Sequence, residues 1–273
     1  MNKKIYKLYL LFGLLFTVKN WFEYLINNFY LKKNTIVTLR NNLRFIVRFN
    51  SGDMVAIIED YFTNQYFPYI ERDFIKDWVI VDVGSHIGTF SIQAAFECEI
   101  TRIIALEPDR ENFNQLKKNV KLNLLTDKID VYNMAMWESS GTIKIYYEPR
   151  LTLGSSIVTA PSESSQQVMS ITIHDLLDKY IKDECDLMKI DIEGAEYEVI
   201  LNSDLKDLKR IRRVFVEYHK RPDEKFKAKN LVKKLIKSEF IVFKRINSPI
   251  LYAFRKNLID IKYIDKKKLK RVI

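Results

Sequence analysis

Cysteine is nearly absent from this 273-residue chain, and the two present, Cys98 and Cys185, stand far apart with no Cys-x-x-Cys pair. That spacing excludes a zinc ribbon and a disulfide framework and fits an intracellular chain. Also missing is the run of about 20 apolar residues that a membrane-spanning helix needs. The stretch from Leu8 to Val18 covers eleven residues, and no small-x-small cleavage site follows it. Internal repeats and a linker that would separate a second catalytic domain are lacking too, so the chain reads as one large domain with additions at its ends. Acidic residues are outnumbered, 35 against 45 Lys and Arg, which leaves a formal charge of +10. Such a balance suits nucleic acid, anionic lipid or a phosphorylated ligand.

What is present centres on Val79-Ile80-Val81-Asp82-Val83-Gly84-Ser85-His86-Ile87-Gly88-Thr89-Phe90. An apolar strand pattern runs into an acid and a glycine loop, and Ile87, Phe90 and Ile92 open a helical apolar face. The Asp-x-Gly-x-x-x-Gly spacing lacks the middle glycine that a dinucleotide pyrophosphate requires, since Ser85-His86 stand there. An acid just before the first glycine instead suits a ligand carrying an ammonium group. A second strand, Leu187-Met188-Lys189-Ile190, ends in Asp191-Ile192-Glu193-Gly194, and between the two lies Ile103-Ile104-Ala105-Leu106-Glu107-Pro108. A carboxylate at that third strand's end is placed to grip a ribose diol.

Together the VDVGSHIGTF loop, ALEP, the Gly154-Ser155-Ser156 run, KIDIEGAEYEVI and Glu217-Tyr218-His219 resemble the FkbM family of methyltransferases over roughly residues 35 to 255. His86 departs from the pattern, because the family usually carries Asn there. The resemblance implies a Rossmann-like class I methyltransferase fold: a mostly parallel seven-stranded sheet with one antiparallel strand and helices on both faces. It implies S-adenosyl-L-methionine as cofactor. Asp82, Gly84, Ser85, His86 and Gly88 would hold the methionine part, Glu107 and Pro108 the ribose, and Asn133, Met134 and Ala135 would lie against adenine.

Methyl transfer to a hydroxyl needs alignment of the acceptor and removal of its proton. The expected catalytic residues are Asp191, His219 and Glu193, with His219 or Asp191 as the base because an unperturbed histidine titrates near neutrality. No metal is expected, although Asp191, Glu193 and Glu217 could instead converge on Mg²⁺. His174 reads as a surface residue without a catalytic role. The expected acceptor is a hydroxyl on a sugar, glycan, glycolipid or small metabolite. One alternative is nucleic-acid methylation, with Phe62, Tyr66 and Tyr69 stacking bases. Against it, no Asn-Pro-Pro-Tyr or Asp-Pro-Pro-Tyr run is present to hold a base amino group. A further alternative is a non-catalytic membrane-associated protein that keeps the fold.

The predicted organisation is an apolar and amphipathic helical segment over 1–34, a hairpin and helix forming a cap over 35–76, the methyltransferase domain over 77–256 and a basic tail over 257–273. Within the first segment Trp21, Phe22, Leu25, Ile26 and Phe29 share a helical face, so one long amphipathic helix is expected. That face would pack on the domain or a second subunit, or rest on the inner face of a membrane with the protein in the cytoplasm. Asp53 is expected to cap a helix through Met54 to Phe62, and a helix is expected over 223–238.

Overall fold

A computed structural model describes residues 3–66, 76–146, 165–246, 248–258 and 269–272. The N-terminal segment is broken rather than continuous: α1 (Lys3–Thr17) is followed by α2 (Trp21–Leu25) and a π-helical turn, Ile26–Tyr30. The break arises from tertiary contacts. Val18 forms an antiparallel bridge to Leu39. Asn20 accepts from the Thr38 amide at 2.8 Å and donates to the Ile36 carbonyl at 2.9 Å, so strand hydrogen bonding displaces helix propagation. The strand concerned is β1 (Thr35–Thr38), which pairs antiparallel with β2 (Arg44–Val47) as the expected hairpin. Gly52 occupies the N-cap position of α3 (Asp53–Thr63). Asp53 does not cap it, because its carboxylate is taken by the Arg48 guanidinium and amide. α3 packs on α1 where Gly13 faces Ile58; a Cβ at Gly13 would lie 2.3 Å from Ile58 Cγ2, so the close approach requires glycine.

Alternating units then build the sheet: β3 (Lys76–Val83), α4 (Thr89–Glu97), β4 (Glu99–Leu106), α5 (Arg110–Leu122) and β5 (Ile129–Tyr132). A separate three-stranded sheet follows from β6 (Met134–Met136), β7 (Gly141–Tyr146) and β8 (Ser165–Ile171), in the order β6-β8-β7. The chain continues through α6 (Ile173–Tyr180), β9 (Leu187–Ile190), α7 (Glu196–Asn202), α8 (Leu205–Leu208), β10 (Arg213–Glu217) and α9 (Ala228–Lys237). It closes with β11 (Phe240–Arg245), β12 (Ile250–Arg255) and β13 (Leu269–Val272). α9 starts later than expected because the Asn230 amide holds the Glu224 and Lys225 carbonyls in a turn before it.

The main sheet runs β13-β11-β12-β10-β9-β3-β4-β5, a mixed α/β arrangement of Rossmann-like type. It has eight strands rather than seven, and two of them, β12 and β13, run against the rest. The eighth comes from the supposed basic tail. Leu269 buries its side chain while Lys270 and Arg271 stay exposed, so one apolar residue docks an otherwise cationic strand on β11. The Gly154-Ser155-Ser156 run, Tyr69 and most of that tail lie outside the described residues.

The five parallel strands are rich in apolar residues because both sheet faces are buried. Along β4, Ile103 and Ala105 join the core beneath α1, α3 and α4, whereas Ile104 and Leu106 join the core beneath α6, α7 and α9. Truncating Ile103 to alanine at such a site costs about 2 to 5 kcal/mol. The strand order reverses between β3 and β9, which leaves a crevice beyond their carboxyl ends.

Candidate active site

The crevice is a cavity of about 210 Å³. Part of its lining is the loop after β3. Gly84 adopts φ +79°, and a Cβ there would fall 1.8 Å from the Asp191 carbonyl oxygen, so only glycine lets the tips of β3 and β9 touch. The Gly84 and Ser85 amides both donate to the Leu106 carbonyl at 3.0 Å. The next amide, of His86, donates to Glu107 Oε2 at 2.7 Å, and the Asp109 amide donates to Oε1 at 2.9 Å. Burial, reinforced by Asp109, raises the Glu107 carboxyl to about 8. Asn133 fastens the same strand end by donating to the Glu107 and Pro108 carbonyls. Gly84, Ser85, His86, Glu107, Pro108, Met134 and Ala135, all expected around a cofactor, line this cavity.

Two expected contacts do not reach it. Asp82 is fully buried behind the loop: Oδ2 accepts from Ser91 Oγ at 2.6 Å and Oδ1 lies 3.2 Å from Lys189 Nζ. Gly88 serves packing, since a Cβ at its φ of +91° would lie 2.6 Å from Leu116 Cδ1. The partner of Asp82, Lys189, is the residue that sequence reasoning passed over. Its ammonium also donates to the Gly84 carbonyl at 2.8 Å and stands 4.0 Å from Asp191 Oδ2. Burial alone would lower its pKa, but Asp82, Asp191 and Asp60 outweigh that and raise it. The available signal was a lysine inside an otherwise apolar four-residue strand.

Asp191, Glu193 and His219 line the same cavity, and each offers a ligating atom within 4.8 Å of the others. Glu193, at φ +52°, places Oε2 3.4 Å from His219 Nε2. Buried Glu196 positions both partners, accepting from the Gly194 amide at 2.8 Å and from the His219 amide at 2.5 Å. His219 is therefore neither a free surface histidine nor one of ordinary pKa. Burial depresses it, but Glu196, Asp191 and Glu193 more than offset this and bring it to about 9. The neutral-pH rationale for His219 as base fails for that reason. Glu217, expected beside Asp191 and Glu193 on Mg²⁺, is not in the three-residue grouping found among the described residues; His219 takes its place. Instead Glu217 accepts from Tyr66 Oη at 3.3 Å, and burial followed by Asp191 raises it to about 8.

The remaining wall comes from α3, which the motifs did not implicate. Glu59 and Asp60 both face the cavity, raised by burial to about 7 and about 6 respectively, and Asp60 accepts from Thr89 Oγ1. His174 stands outside the cavity, 3.0 Å from Asp207.

The profile of the methyltransferase FkbM domain family matches residues 82–243. The chain belongs to the FkbM methyltransferase family. The match runs from Asp82 in β3 to Phe243 in β11 and so takes in Gly84, Glu107, Asp191 and His219 but not the α3 wall of the cavity. Methyltransferase sdnD of Sordaria araneosa is 27% identical over 170 residues, covering 50% of this chain and 65% of its own length. Hexuronic acid methyltransferase AglP of Haloferax volcanii is 26% identical over 170 residues, covering 62% of this chain and 68% of its own. The chain thus spans about two thirds of the length of these relatives. The crystal structure of the FkbM methyltransferase from Methylobacillus flagellatus KT superposes with a TM-score of 0.44 at 16% identity, over 74% of this chain and 53% of that one. Other solved structures at this level of likeness include proteins assigned to RNA and tRNA methylation.

The FkbM methyltransferase domain uses S-adenosyl-L-methionine, and the cavity fits such a group. Both ring nitrogens of half-buried His86 are themselves buried and lack a hydrogen-bond partner. Burial brings this imidazole down to about 4, so it faces the cavity uncharged. Asp53, 3.5 Å away, is already occupied by Arg48. A polar ligand beside Glu107 satisfies such orphaned atoms.

Proposed function

We propose that the protein transfers the methyl group of S-adenosyl-L-methionine to a hydroxyl oxygen of a sugar, glycan, glycolipid or small metabolite. The observation that carries this reading is the grouping of Asp191, Glu193 and His219 in the same cavity that Glu107 and the Gly84 loop line. The cofactor supplies an electrophilic methyl group on a sulfonium. Gly84 to His86 and Glu107 hold it, and the carboxylates face the incoming hydroxyl. Because His219 is held protonated by its acidic neighbours, a carboxylate takes the hydroxyl proton. Asp191 is that group in our reading: it leaves the β9 tip directly, and burial raises its carboxyl above the usual carboxylate range, as a base requires, although the Lys189 and His219 cations beside it pull the other way.

A nucleic-acid acceptor is the second reading, favoured by the overall charge of +10. The cavity works against it, since Lys189 is the one Lys or Arg among the described residues that line it, and its ammonium is taken by Asp82, which leaves little to bind a phosphate backbone. Tyr66, only 2% exposed, has no face free for a base. The deciding experiment supplies radiolabelled cofactor with hydroxylated glycans, including uronic acid-containing ones, beside total tRNA. Alkali-stable label in the glycan, as in an ether, supports the proposal; label confined to RNA overturns it.

A further inference from the structure

Ten of the eighteen large apolar side chains exposed among the described residues fall between Ile5 and Leu31. On α1 they form one face, Ile5, Leu8, Phe12 and Phe16 at helical spacing, while Leu14 on the opposite side packs into the core. The face continues onto α3, because Phe12 stacks on Phe16 and Phe16 on Phe62, ring centroids 6.3 and 6.4 Å apart. Phe16 and Phe12 remain 65% and 47% exposed. A contiguous patch of this kind on a soluble fold marks an interaction surface.

Charge says what covers it. Residues 1–52 contain nine Lys and Arg and a single acid, Glu23, whereas residues 53–255 carry 29 Lys and Arg against 32 acids. The body of the protein is slightly acidic, and the segment bearing the aromatic face carries a net charge of +8, against +5 for residues 256–273. Lys4, Lys7, Lys32 and Lys33 are all exposed. A second copy of this chain would set that cationic segment against itself if the same face met in a two-fold dimer. An anionic bilayer pairs with both the lysines and the rings. The helix lies on such a surface and does not cross it: α1 has 15 residues, about 22 Å at 1.5 Å per residue against a core of about 30 Å. No helix among the described residues is long and apolar enough to cross a membrane.

We infer that α1 and the adjoining tip of α3 form an interfacial docking surface for anionic lipid bilayers. The inference is independent of the acceptor reading, and its test is read without catalysis. Full-length protein is sedimented with phosphatidylcholine vesicles, with and without phosphatidylglycerol, and compared with an F12S/F16S variant and a K4Q/K7Q variant. The wild type pellets with the anionic vesicles and is released by raised salt; the serine variant binds at least roughly tenfold more weakly and the glutamine variant several-fold more weakly. Unchanged melting curves show that the variants fold. Failure of the wild type to bind, or equal binding by the serine variant, overturns the inference. Light scattering without vesicles adds a second arm: a monomer is expected, and a dimer dissolved by F12S/F16S, with no vesicle binding, assigns the face to a second copy instead.

Discussion

The part of the cavity lining grouped around Glu107 is drawn from one stretch of chain, Gly84 to Ala135, whereas the part grouped around His219 combines α3 with the tips of β9 and β10. The first is organised by backbone: a glycine at positive φ and successive amides aimed at a carbonyl and a carboxylate. The second is organised by side-chain charge, with a protonated histidine among acids raised by burial. Backbone constraint leaves a readable spacing in the sequence. Charge assembled across distant segments does not.

The largest expected separation of the two parts comes from Asp191→Asn. Loss of general-base function lowers kcat by about 10² to 10⁴, while S-adenosylhomocysteine affinity by calorimetry stays near the wild-type value. An unchanged rate would remove Asp191 from the chemistry. Gly84→Ala tests the backbone part instead. With a Cβ 1.8 Å from the Asp191 oxygen and a strained φ, it should cost about 3 kcal/mol or more in urea unfolding. It should also abolish the thermal shift given by S-adenosylhomocysteine, because both strand tips move. Glu107→Ala removes the carboxyl assigned to the ribose diol, at about 0.5 to 1.5 kcal/mol for each of two hydrogen bonds, which weakens cofactor binding about tenfold without a matching loss of kcat at saturation. Equal affinity in the variant would contradict the ribose role.

The smallest effect is in pH. His219 rises from 6.5 to about 9 and Glu217 from 4.5 to about 8 on folding, so the folded state binds these protons more tightly than the unfolded chain. Their contribution is full below pH 4.5 for Glu217 and below 6.5 for His219, and it is lost as pH climbs through about 8 and about 9. Unfolding stability should therefore fall between about pH 4.5 and 9, the Glu217 part first and the His219 part last. Glu217→Gln should flatten that fall, and a slope identical to wild type would show that the charged part does not titrate as described.

The same contrast decides what could be read from the sequence. The parallel strands, the glycine loop and the Glu107 strand end were legible because each rests on a local pattern of apolar runs, turn residues and strand-tip acids. Asp82 misled because an acid beside a glycine loop has the same spelling whether it faces a ligand or anchors a buried lysine. Glu59 and Asp60 were illegible, since only tertiary packing of α3 brings them to the β9 tip. The break after Thr17 depended on Asn20 finding β1, and β13 on one leucine amid cations, neither of which leaves a periodic signature.

Lys189 makes its position in β9 hard to change by small steps. Methionine has the shape and apolarity that a buried strand welcomes, yet it would strand Asp82 as an uncompensated anion and let go of the Gly84 carbonyl at once. Replacing Asp82 first leaves the ammonium equally abandoned. The pair can be exchanged only together, so the stalk beneath the loop is locked by the unfitness of every single-substitution intermediate rather than by any one contact's strength.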